Sequence, residues 1–381
     1  AGLMFGVLGL GEILEDVFRA GRNSLHWHKA SGDIVIVKID NESLRKAGRW
    51  PWPRRVHAQL ADALTDAGAK RIFFDVRFYG ASNPVDDRLF VDALRRSGKV
   101  TLAAPVAAAP HLAIGPDAPP LPAFTEHAGL GAIGVSYNYQ NAVWQVPYAV
   151  RSGSKTIPSF ASMLSGRTGP PGAMFRPDYS IDPRSIPSVS ASAVLGGELD
   201  PRQIRGKDVV IGTTSDVLSD IFFIPGVGQM GGVYVHVIAA ETLRAGKPVE
   251  LGWLPLFLAS LAFCGVLISR RGDRRTLIAV GVAVIAVLVG PVLPESRLIY
   301  LDVTPALLVL VVTAVVLLRR RFQKRGLVDP VSGLPNLTAL KSQRGARDKA
   351  LIVARVLNYS EIVSALPGNS ERQLVEQIVT R

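Results

Sequence analysis

The chain has 381 residues, of which 48% are hydrophobic and only 19% charged, a balance more apolar than most soluble domains show and one that points to a membrane protein. Its net charge of +12 would argue for nucleic acid only if the basic residues shared a face; instead Arg270, Arg271, Arg274 and Arg275 form one short patch and Arg319, Arg320, Arg321, Lys324 and Arg325 another, both beside apolar segments. The single cysteine, Cys264, excludes an internal disulfide and a zinc cluster built from thiolates.

The opening AGLMFGVLGL is an apolar run of ten residues, too short for a bilayer that needs about twenty helical residues. Residues 1–20 read as the end of a first transmembrane helix and its exit; a cleaved signal peptide, the alternative, lacks a clean small-residue cleavage pattern. Residues 21–251 read as an alternating α/β block. DIVIVKID (33–40) is a continuous apolar strand, RRVHAQLADALTDAGA (54–69) has helical periodicity closed by Gly68, and KRIFFDVRF (70–78) is a second buried strand. VDDRLFVDALRRSG predicts a helix and KVTLAAPV a third strand, so the sheet is expected to be largely parallel. AAAPHLAIGPDAPPLPAF reads as an irregular surface loop, DVVIGTTS (208–215) as a buried strand running into a polar turn, and GVYVHVIAAETLRAG (232–246) as a helix.

Residues 252–318 carry three further apolar segments, about 253–269, 276–293 and 298–318, with no lysine or arginine inside WLPLFLASLAFCGVLIS, TLIAVGVAVIAVLVGPVL or LIYLDVTPALLVLVVTAVVLL. Asp302, near the start of the third, is expected at the outer interface. With both arginine patches inside, the PESR link and residues 21–251 fall outside. Residues 319–328 form a cytoplasmic helical linker that Gly326 ends.

Several residues are candidates for a sensor pocket. Asp40 and Asp75 each end an apolar strand, where open α/β sheets place their ligand crevice; capping of the following helices is the equal alternative. WPWPR sets Trp50 and Trp52 between prolines with Arg54 behind them, as a recognition surface or, more commonly, a packing plug. IGTTSDVLSD, which ends at Asp220, is suited to cradling an anion, and His236 lies on the helix that follows. The six histidines show no metal-ligand spacing beyond the close pair His26 and His28, and no G-x-S-x-G elbow or lysine-bearing P-loop is present.

The stretch SGDIVIVKIDNESLRKAGRWPWPRRVHAQLADALTDAGAKRIFFDVRF, with GKDVVIGTTSDVLSDIFFIPGVGQMGGVYVHVIAAETLRAGKP later, resembles a type-2 CHASE domain, an extracytoplasmic bacterial sensor. The resemblance covers residues 12–320 and implies one membrane segment before the domain and three after it. DPVSGLPNLTAL resembles the start of a GGDEF domain through Asp329, Gly333, Leu334, Pro335 and Asn336, while Val331, Ser332 and Leu337 depart from the pattern. Residues 329–381 are thus expected to be the N-terminal fragment of a truncated α/β domain of that kind. Aligning Tyr359 with the aromatic of the family's D-x-D-x-F metal stretch puts Arg355 and Leu357 where acidic residues belong, and arginine repels a cation rather than ligating it. Val363 and Ser364 replace the asparagine and aspartate that follow. The resemblance therefore implies a degenerate cyclase and an EAL phosphodiesterase beyond Arg381, with no cofactor in this stretch and magnesium only for an active downstream domain.

Taken together, the expected protein is a multi-pass receptor of the bacterial inner membrane, with its sensor in the periplasm, its C-terminus in the cytoplasm and a cyclic-di-GMP module as output. Membrane lipid, an extracytoplasmic ligand and a second copy of the chain are the expected partners; nucleic acid is not. A transport or secretion component, and a sensor with a purely protein-contact output, are the alternatives.

Overall fold

The computed structural model describes residues 2–8, 11–48, 50–104, 120–138, 141–218, 220–268, 274–325, 327, 336, 338–339 and 357–365. They divide into two units, the first comprising Leu3–Leu256 and Leu288–Thr304, the second Phe257–Val287 and the chain from Pro305.

At the centre of the first unit is a six-stranded sheet formed by β1 (Ile34–Ile39), β2 (Arg71–Asp75), β3 (Val100–Ala104), β4 (Gly129–Ala132), β5 (Ser188–Ser190) and β6 (Asp208–Thr213). Its lateral order is β5-β1-β6-β2-β3-β4, and every neighbouring pair is parallel. The near-continuous apolar runs IVIVKI, RIFFD and DVVIGT suit strands covered on both faces, as a parallel sheet requires. Side chains alternate between the faces. Val35, Val37, Ile72, Phe74, Val209 and Ile211 pack with Leu60, Leu64, Phe90 and Leu94 of helices Arg54–Asp66 and Pro84–Ser97. Ile34, Ile36, Phe73 and Val210 pack with Val233, Val237 and Ile238 of helix Gly232–Ala245 and with Phe160 and Leu164. Each such side chain contributes about 1.5–3 kcal/mol on burial.

Local signals set the helix ends. Asn83 accepts hydrogen bonds from the amides of Val85 and Asp86 with Pro84 in the first turn, and Gly98, at φ 63°, terminates the same helix in a conformation that disfavours a Cβ. Strand β6 enters between β1 and β2 from much later in the chain, pairing Thr213 with Ile39 and Gly212 with Asp75. The chain leaving β2 reaches the helical layer on one face, whereas the chain leaving β6 reaches helix 232–245 on the other. Such divergence opens a crevice at the carboxyl ends of adjacent strands.

Strands β4 and β5 and the antiparallel pairs in the middle of the domain, including 149–152 with 155–158 and 221–224 with 228–231, were not foreseen from the sequence. Of the expected loop at 107–124, residues 107–119 lie outside the described residues, and Pro122–Thr125 is a short helix.

In the second unit, Cys264, Leu267, Val280, Leu310 and Leu317 pack together, while Leu261, Val282, Ile285 and Val315 point outward. Among the described residues one stretch, Arg275–Glu295, is long and apolar enough to cross a membrane, against the three segments expected. Helix Leu254–Ile268 has 15 residues, short of the length a bilayer requires, and residues 269–273 are outside the described set. Helix Thr304–Arg325 is long enough but ends in the arginine run; it is continuous through that run, as the lack of glycine and proline predicts.

Candidate functional site

The carboxyl ends of β2 and β6 bring four polar side chains together. Asp75 ends β2, Thr213 ends β6, Asp220 follows on the loop after β6, and His236 lies in the second turn of helix 232–245. The Thr213 hydroxyl donates to Asp220 Oδ2 at 3.1 Å, and the amide of Gly232 donates to the Asp220 carbonyl at 3.0 Å. His236 Nε2 stands 3.8 Å from Asp75 Oδ1, too far for a hydrogen bond. Asp75 Oδ2 and His236 Nδ1, both buried, have no hydrogen-bond partner. Glycines permit this close assembly: a Cβ on Gly212 would stand 2.6 Å from that of Val233, and one on Gly232 would be 2.9 Å from Asp220 Oδ1.

Burial without compensating partners sets the protonation of this group. Loss of water pushes the Asp75 carboxyl up to about 7, against a weaker opposing pull from Arg77. Asp220 is raised to about 6, first by burial and then by the Asp75 charge. His236 is lowered to about 4 by burial, with Asp220 pulling the other way. Near neutral pH the site therefore contains an imidazole without charge and an Asp75 carboxyl close to its titration midpoint, so arrival of solvent, a cation or a hydrogen-bonding ligand changes its proton count. Among the described residues no group of three or more His, Cys, Asp or Glu side chains is arranged to hold a metal ion.

Residues 3–269, including the whole parallel sheet, match the CHASE2 domain family. The chain belongs to the CHASE2 family. CHASE2 is an extracellular sensor domain found in signalling proteins. No curated protein and no solved structure matches the chain.

The other candidate residues of this CHASE2 domain lie apart from that group. Asp40 caps helix Asn41–Ala47, accepting from the Ser43 amide at 2.8 Å and from the hydroxyls of Ser43 and Ser190. These bonds, set against its partial burial, hold the carboxyl below its usual value. Trp52 is buried in the helical layer, its indole N–H donating to the Gly48 carbonyl at 3.2 Å, and Trp50 lies edge-on to it. Arg54 stacks over Phe78 at 4.9 Å. His57, whose ring is 5.0 Å from that of Phe78, completes an aromatic core and is lowered to about 3 by burial, so it packs as a neutral ring. The seven candidates thus divide into a helix cap, an aromatic core and the Asp75–Asp220–His236 group. In the polar turn after β6 the Thr213 hydroxyl donates to Asp220, and the Ser215 hydroxyl bonds to Asn41.

Asp329, Gly333, Leu334, Pro335 and Arg355 lie outside the described residues. Asn336 accepts from the Ala339 amide at 3.0 Å, and Leu357 is exposed ahead of helix Tyr359–Ala365.

A second buried polar cluster was not foreseen. Helix Glu12–Asn23 turns Glu15, Arg19 and Arg22 inward, where they meet Glu295, Asp302 and the start of helix 304–325. Helix Glu12–Asn23 lies within the first unit. The sequence signal was the spacing of Glu15, Arg19 and Arg22, which puts three charges on one helical face.

Proposed function

We propose that this chain is the receptor part of a multi-pass signalling protein of the bacterial inner membrane. Its CHASE2 domain lies in the periplasm and reads a cue at the Asp75–Asp220–His236 group; its cytoplasmic output is a cyclic-di-GMP module. The observation that carries this reading is helix 304–325, which begins where the sensor unit ends, runs through the arginine run, and stops four residues before Asp329 of the GGDEF-like stretch. The basic patches at 270–275 and 319–325 support a cytoplasmic position for both helix ends. The outward-facing apolar side chains of the second unit support lipid as their surroundings. Arg355 and Leu357 support a GGDEF domain without cyclase activity, so the output of the full protein is assigned to an EAL phosphodiesterase.

Single cysteines test the arrangement. In a Cys264→Ser background, Ser152→Cys should react with a membrane-impermeant thiol reagent in intact spheroplasts, and Ser342→Cys only after the membrane is opened. Labelling of position 342 in intact spheroplasts would reverse the topology.

A further inference from the structure

Helix 304–325 is capped by a side chain from the other end of the chain. Glu15 Oε2 accepts from the amides of Val303 at 2.7 Å and Thr304 at 3.0 Å and from the Thr304 hydroxyl at 2.9 Å, across 288 residues of sequence in the first case. The first amides of a helix lack intrahelical acceptors, and a neighbouring Ser, Thr, Asp or Asn ordinarily supplies one. Here a carboxylate on a separate helix does so, with the added attraction between its charge and the positive end of the helix.

That carboxylate is itself held. Arg22 Nη2 donates to Glu15 Oε1 at 3.1 Å, and Arg22 Nε donates to both oxygens of Glu295 at 2.9 and 3.0 Å. Arg19 and Arg176 both donate to Asp302 Oδ1, at 3.0 and 3.2 Å, two residues before the helix begins. Glu15, Arg19, Arg22 and Glu295 are all buried. Ile13, Leu14 and Val17 of the same N-terminal helix are exposed, and Phe18 is half-buried. A helix that buries its charged face and exposes its apolar one is placed by ion-pair geometry more than by hydrophobic burial, because each charge tolerates few arrangements once removed from water.

We propose that Glu15 is a positioning residue that fastens helix 12–23 to residues 303–304, where helix 304–325 begins. The joint is independent of which cue is sensed and of what output follows. It predicts that residues 303–304 keep their place against the N-terminal helix through Glu15, with Arg22 and Glu295 holding the carboxylate in register.

The test uses the full chain in lipid nanodiscs and reads hydrogen exchange at the amides of Val303 and Thr304, with the amides of strand 34–39 as the control. Exchange at 303 and 304 should be at least tenfold faster in Glu15→Ala than in the wild type and intermediate in Glu15→Gln, which keeps an acceptor but loses the charge. The amides of 34–39 should stay protected in all three. Unchanged exchange at 303 and 304 in Glu15→Ala, with 34–39 still protected, overturns the joint. If Glu15→Ala does not fold, Glu15→Gln decides: faster exchange at 303 and 304 supports the joint and unchanged exchange overturns it.

Discussion

Asp75 and Glu15 are buried to nearly the same extent, at 7% and 5% exposure, yet their surroundings differ in kind. Glu15 accepts from two amides, a hydroxyl and an arginine, whereas Asp75 has one oxygen without a partner and an imidazole 3.8 Å from the other. Burial removes water from both. Partners then decide the outcome: a carboxylate given donors serves as a fixed fastening, and one left without them becomes a group whose charge depends on what reaches it. Glu15 lies at the start of helix 304–325 and Asp75 at the carboxyl end of β2.

The contrast can be broken most forcefully at Glu15. Removing Glu15 from this buried, hydrogen-bonded ion network leaves the Val303 and Thr304 amides without their acceptor and Arg22 with Glu295 alone, so Glu15→Ala should cost roughly 3–5 kcal/mol in denaturant unfolding of the full chain in micelles. A loss below about 1 kcal/mol would place the pair among surface bridges of little consequence.

Asp75→Asn should act in the opposite direction and only at higher pH. The folded carboxyl is raised from 3.8 to about 7, so its favourable contribution is complete below pH 3.8 and is lost as pH rises through about 7. The asparagine variant avoids that loss, and its stability should gain on the wild type by roughly 2–4 kcal/mol between pH 4 and pH 8. A gap that does not change with pH would show that Asp75 ionises as an ordinary carboxyl.

Gly212→Ala sharpens the contrast by separating packing from charge. Its Cβ would press on Val233 at 2.6 Å, and overpacking of this kind costs about 1–3 kcal/mol. The loss should be the same at pH 5 and pH 8, read from melting curves; a strong pH dependence would mean that the substitution acts on the acid pair.

The smallest effect belongs to His236. Its pKa falls from 6.5 to about 4, so its contribution is present above pH 6.5 and is lost as pH falls through about 4. Against wild type, His236→Gln should lack about 1 kcal/mol of the stability change between pH 7.5 and pH 5.5. His57, buried on the other face, leaves the remainder of that slope in place.

Much of the fold could be read from periodicity because β1, β2, β3 and β6 are apolar runs bounded by amphipathic helices. β4 is GLGA and β5 is SVS, too short and too rich in small residues to show a pattern; both acquire their strand geometry from their neighbours β3 and β1. The lateral position of β6 was not legible either, since strand order is set by long-range pairing that no local window contains. Asp75, Asp220 and His236 were each visible as single residues, at a strand end, a polar turn and a helix. That Asp40 caps while Asp75 does not depends on Ser43 and Ser190 reaching one and no hydroxyl reaching the other. The ion network at Glu15 was hidden for the same reason: its partners at 295 and 302–304 lie at the far end of the chain.

Infrared difference spectroscopy of the full chain at pH 6.5 tests the protonation of Asp75 directly. The wild type should show a protonated-carboxyl C=O band that loses most of its intensity in Asp75→Asn. A band that keeps its intensity in Asp75→Asn, or no such band at all, would contradict the assignment of Asp75 as the proton-holding group.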